Sequence, residues 1–140
     1  MPISRPLPFT ISEAPVPPSA LQSNEANGAH VRFLGIVRAL EGDRVLEGID
    51  YSAYLPMAES ALAVLREEAT KEFGEHEAMI HHRTGFVPVG TASVVVEVAT
   101  PHSAEAFALC KRYLDRLKKT VPIWKRPVFQ DERTSKAKDS

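Results

Sequence analysis

The run from Ala92 to Ala99 contains Val94, Val95, Val96 and Val98. β-Branched side chains favour a pleated backbone, and apolar residues at successive positions point to both faces of a strand. A strand of this kind is expected at the centre of a sheet, covered above and below. The rest of the chain must supply its neighbours and its cover.

Two segments have the pattern of covering helices. From Pro56 to Phe73, the residues Ala58, Ala61, Leu62, Leu65, Ala69 and Phe73 form one stripe, with Glu59, Arg66, Glu67 and Lys71 largely off it. Pro56 suits the first turn and Gly74 the C-terminal cap. A second helix is expected to open at Thr100-Pro101, with the threonine as N-cap and the proline in the first turn, where His102 would also lie. Its apolar stripe reads Phe107, Cys110, Leu114, Leu117 and Val121, and Pro122 ends it by disfavouring the helical conformation at Val121.

Strands are expected over Ala29 to Arg38, Val45 to Tyr54 and Ala78 to Arg83, with Gly85 to Gly90 a connection or a kinked edge strand around Pro88. Gly35 inside the first of these marks a bulge or a close backbone approach. Two long helices and a mostly antiparallel sheet make the fold class α+β. No Gly-rich phosphate loop occurs.

At 140 residues the chain is expected to form one domain. Residues 1–28 are a proline-rich segment belonging to it, with a short edge strand at Phe9 to Ile11, a short helix at Pro17 to Gln22 and a loop from Ser23 to Gly28. Residues 29–128 form the main body and residues 129–140 a polar, flexible tail. The net charge of −1 gives no field for nucleic acid. The basic run Lys111, Arg112, Arg116, Lys118 and Lys119 is broken by Asp115. Cys110 is the sole cysteine, which excludes an intrachain disulfide and a Cys-rich zinc site; on an apolar stripe it reads as an inert buried thiol. No apolar run approaches the ~18 residues of a membrane span, and no basic-then-apolar leader opens the chain, so a cytoplasmic location is expected.

The chemistry-bearing residues concentrate in Leu117-Lys118-Lys119-Thr120-Val121-Pro122-Ile123-Trp124-Lys125. Its bland reading is a helix end whose lysines face the dipole, with Trp124 plugging the core. Its functional reading is that Lys118, at the border of the buried stripe, and Lys125, beyond the break, present amines at a cleft rim. His81-His82-Arg83 offers a second candidate. On a strand, His81 and Arg83 share one face and His82 takes the other, a poor chelate but a possible anion contact through Arg83 or His82. Arg38 at a strand end and His102 at a helix start are anion clamps or solvated ends.

These segments resemble the catalytic (large) subunit of molybdopterin synthase. The likeness runs from Gly28 to Arg126 through Phe33-Leu34-Gly35-Ile36-Val37-Arg38, Tyr51-Ser52-Ala53-Tyr54-Leu55-Pro56-Met57-Ala58, His82-Arg83-Thr84-Gly85, Pro101-His102 and, most specifically, Leu117 to Lys125. The resemblance implies an α/β-hammerhead fold and a homodimer. It implies a small ubiquitin-like sulfur-carrier subunit as partner, whose C-terminal thiocarboxylate gives sulfur to cyclic pyranopterin monophosphate. The product is the dithiolene of molybdopterin, with no metal or organic cofactor. It also implies that Lys118 and Lys125 are the catalytic pair and that Arg38 and His102 help form the anionic substrate pocket; the reading of the residues adds Arg83 as a further cation and Ser103 as a hydroxyl donor to phosphate. The chain departs from the family at Ser103, where an arginine is usual, and at Pro127, where an acidic residue is usual. A catalytically weakened paralogue that still binds a carrier is therefore the alternative.

Overall fold

The computed structural model of the chain describes residues 9–131, except 20 and 23. Along it run β1 (Phe9–Ser12), β2 (Ala29–Ile36), β3 (Leu40–Glu41), β4 (Arg44–Ala53), α1 (Leu55–Phe73), β5 (Glu77–Arg83), β6 (Gly85–Pro88), β7 (Ala92–Thr100), α2 (Ser103–Thr120) and β8 (Ile123–Phe129). One sheet has the order β1-β5-β7-β2, antiparallel except for the parallel pair β1–β5. In a second sheet β4 is flanked by β6 and β8, both antiparallel, with β3 as a hairpin at its start.

The valine run is interior, as its composition demands. From Ser93 to Thr100 every residue of β7 is buried. Val94, Val96 and Val98 face the helices and meet Leu62 and Leu65 of α1 and Leu109, Tyr113 and Leu117 of α2. The alternate residues Val95 and Glu97 face the other side. The segment after β1 crosses that side: Ala14 O accepts from His81 Nε2 at 2.9 Å, Pro17 O accepts from Arg32, and Ser19 donates to Glu97.

Several local expectations are corrected. The described residues of Pro17 to Gln22 form no helix; side chains of β2 and β7 hold their polar groups instead. Helix α2 opens at Ser103 rather than at Thr100-Pro101. Thr100 remains in β7, its Oγ1 donating to His102 O at 2.7 Å, and His102 takes the N-cap position with no side-chain cap. The buried stripe of α2 is Ala106, Leu109, Cys110, Tyr113 and Leu117, while Phe107 is 65% exposed. Cys110 is buried 3.9 Å from Val96 O, and burial pushes its thiol pKa up, away from reactivity. After Pro122 the chain resumes as β8, which reaches Phe129, the first residue of the expected tail; 132–140 lie outside the described residues, as do Pro2, Pro6 and Pro8. No helix among the described residues is long and apolar enough to cross a membrane.

Trp124 does not plug the core. It lies on β8 opposite Ser52 and is 58% exposed. Trp124→Ala is therefore expected to change the free energy of unfolding by no more than about 0.5 kcal/mol, against the ~3–5 kcal/mol that removing a buried tryptophan costs. A denaturant melt of the two proteins checks this.

Candidate active site

The two sheets leave a cleft of about 570 Å³ between them. Its wall is apolar: Phe33, Ile36, Val37, Leu117, Val121 and Ile123 contribute. Gly35 makes the close approach expected of it, since a Cβ there would sit 2.6 Å from Val94 Cγ1, and the β2–β7 register shifts at this point. Val37 leaves the β2–β7 ladder, its N–H donating to Thr91 O at 3.1 Å and its C=O accepting from Gly90 N–H at 2.8 Å. That exit carries the next residue, Arg38, to the cleft.

Each cation reaches the cleft from a different element. Arg38 follows β2, Lys118 stands on the last turn of α2, and Lys125 lies on β8 opposite Tyr51 of β4. All three are exposed, and among the described residues none has a carboxylate within ion-pairing distance. Glu41 is the one carboxylate among the described lining residues. A concave, mostly apolar wall with unneutralised cations is suited to an organic anion: the wall buries the body of the ligand and the cations hold its charge.

His82 lines the same cleft. It follows Ile80 by two on β5, so it shares the helix-facing side of the strand. Its Nδ1 bonds Arg83 O at 2.8 Å, and its ring packs edge-on against Tyr51 at 5.0 Å between centroids. Tyr51 O–H donates to Ser93 Oγ at 3.2 Å, and Ser93 donates to Gly35 O at 3.4 Å. Burial lowers the His82 pKa, only partly offset by the bond to Arg83, so the ring is neutral at physiological pH.

The remaining candidates lie elsewhere. Arg83 points to the opposite side of β5, where Nη2 donates to Glu13 O at 3.4 Å and Nε is buried without a partner. His81 is on that side too, bonded to Thr10 Oγ1 at 2.7 Å and Ala14 O at 2.9 Å. His102 and Ser103 are exposed at the start of α2, roughly 22 Å along the helix from Lys118. Tyr51 and Ser93 were not legible as parts of a site. The signal for Tyr51 was its place in an alternating strand, whereas Ser93 had none apart from its neighbours.

The MoaE protein family model matches residues 11–120. The chain belongs to the MoaE family. Its relatives include the molybdopterin synthase catalytic subunit of Pyrococcus abyssi, 39% identical over 129 residues that cover 92% of this chain and 84% of that one. The crystal structure of molybdopterin synthase from Staphylococcus aureus matches with a TM-score of 0.82 at 32% identity, over 88% of this chain and 92% of that one. A Helicobacter pylori complex of subunits 1 and 2 of molybdopterin-converting factor shares the fold, with a TM-score of 0.61 at 22% identity, over 78% of this chain and 75% of that one. The two-helix, mostly antiparallel α+β architecture is thus that of MoaE proteins.

Proposed function

We propose that this MoaE protein transfers sulfur from the thiocarboxylated C-terminus of a small ubiquitin-like carrier protein to cyclic pyranopterin monophosphate, forming the dithiolene of molybdopterin. The observation that carries the reading is the convergence of Arg38, Lys118 and Lys125 on one cleft, none of them ion-paired among the described residues. Donor and acceptor are both anions, and a thiocarboxylate tail is slender enough to enter such a cleft. Cations held there stabilise charge developing on the acyl carbon. Lys118 stands nearest the chemistry, as acid/base or as transient acyl acceptor, and Lys125 orients the phosphate or the tail. A small partner protein is in keeping with the Helicobacter pylori complex, in which two different chains are joined.

His102 and Ser103 cannot join Lys118 of their own chain across the length of α2. Ser103, in place of the usual arginine, supplies a hydroxyl but no charge, and this favours the weakened paralogue as the second reading. The test is a turnover assay: the protein, a thiocarboxylated carrier and the cyclic precursor are mixed, and molybdopterin is quantified as its fluorescent oxidation product. Product at ordinary enzyme rates supports sulfur transfer. No product, with the carrier still bound, supports the paralogue, and rescue by Ser103→Arg would trace the loss to the missing cation.

A further inference from the structure

Once the thiocarboxylate sulfur is bonded to the pterin, it joins carrier and pterin as a thioester, and the acyl carbon must pass to another atom before the carrier can leave. When water takes it, a C–O bond forms, the C–S bond breaks, and the water must give up a proton. Arg38, Lys118 and Lys125 serve in this step to hold the anions, and Glu41 is the other acceptor in the lining, which Glu41→Gln separates from His82. Tyr51 and Ser93 use their hydroxyl protons on Ser93 Oγ and Gly35 O. A carbonyl can only accept a hydrogen bond, so the 2.8 Å contact with Arg83 O fixes the proton of His82 on Nδ1 and leaves the lone pair on Nε2. Nε2 has no hydrogen-bond partner among the described residues. It is not sealed in either, because the one buried side-chain nitrogen without a partner among them is Arg83 Nε. Its opening is the cleft that His82 lines together with Lys118 and Lys125.

We propose that His82 Nε2 is the proton acceptor of this cleft, taking a proton from the water that releases the carrier's acyl group and passing it to the departing sulfur. The carrier leaves as a carboxylic acid that ionises, giving the water's second proton to solvent, and the pterin carries the thiol. The inference rests on the sulfur-transfer reading. The groups around the ring fit the role: Tyr51 of β4 clamps it edge-on, Ser93 and Val94 of β7 flank it, and His81 is its neighbour on β5. Arg38, Lys118 and Lys125 line the rest of the cleft, with Glu41 as its carboxylate. Burial keeps the imidazole unprotonated and able to act as a base near neutrality.

The test is the pH dependence of kcat for the full chain with thiocarboxylated carrier and precursor, beside His82→Asn. Asparagine retains an amide donor for Arg83 O and removes the base. The wild type is expected to lose rate as pH falls through a pKa below the ordinary histidine value of about 6.5. His82→Asn is expected to bind carrier normally, to lose about 100-fold or more in kcat with KM unchanged, and to lack that acidic limb. A kcat near wild type, or a reduced kcat that keeps the limb, overturns the role, as does a limb removed by Glu41→Gln instead. A flat wild-type profile overturns it without any variant. Absence of wild-type turnover overturns the sulfur-transfer reading and His82 with it, whereas full turnover by His82→Asn removes the role of His82 alone.

Discussion

Lys118→Ala is expected to lower turnover by at least about 100- to 1,000-fold, the usual effect of removing a charge aimed at a developing anion. Its fold should be untouched. Lys118 is exposed on the last turn of α2 and lacks an ion-pair partner among the described residues, so truncation should change stability by about 0.5 kcal/mol or less. Carrier binding should also persist, since a protein–protein interface is held by many residues and this one sits in a cleft rather than across a surface. A collapse of kcat with unchanged melting temperature and carrier affinity would therefore report chemistry. Lys118→Arg separates the two roles open to the lysine. Arginine keeps the charge but cannot serve as acyl acceptor or proton donor at neutral pH. Substantial activity in Lys118→Arg would assign Lys118 to charge stabilisation, and inactivity would assign it to nucleophilic or proton chemistry. Full activity in Lys118→Ala would remove it from the mechanism.

What could be read in the chain beforehand was mostly local. The stripe Ala58, Leu62, Leu65 and Ala69 gives α1 its buried face because helical periodicity depends on near neighbours. Pro122 ends α2 for the same reason, by its effect on Val121. Gly35 is readable because a glycine within a strand needs a backbone cause, here the approach of Val94. The lysines were legible as a pair flanking the break at Pro122, and through the resemblance as a catalytic pair, but their meeting depends on β8 folding back onto β4, and no local rule encodes that pairing. The same holds for Trp124. Its flanking apolar residue suggests the interior, yet its position on β8 turns it to solvent. His82 was legible as the histidine on the face opposite Arg83, but only the pairing of β5 in the sheet decides which face looks into the cleft.

Glu97 shows most clearly what local pattern leaves out, and its removal is expected to be the most damaging change to stability. It lies within the valine run of β7, fully buried. Its partners Ser19, His30 and Arg32 are 78, 67 and 65 residues away in the chain, so nothing near Glu97 announces them. Ser19 and His30 bond Oε2, the latter at 2.6 Å, Arg32 bonds Oε1, and Arg32 also bonds Pro17 O. One carboxylate thus joins β2, β7 and the segment that crosses the sheet. Burial alone would raise its pKa, but the bonds from Ser19, His30 and Arg32 outweigh burial and hold the carboxyl below its usual range. A carboxyl whose pKa is depressed on folding contributes stability above its unfolded value, about 4.3, and that contribution is lost as pH falls through the folded value. Glu97→Ala leaves Arg32 half-buried without its counter-charge, a loss of about 3–5 kcal/mol. In a domain of this size that corresponds to a fall in Tm of about 10–20 °C at neutral pH. The difference between the two proteins should narrow as pH falls below the unfolded value of about 4.3 towards the lower folded one, where the wild-type carboxylate is itself protonated. A Tm within about 3 °C of wild type at pH 7, or a gap that widens in acid, would show that the cluster does not hold the segment to the sheet.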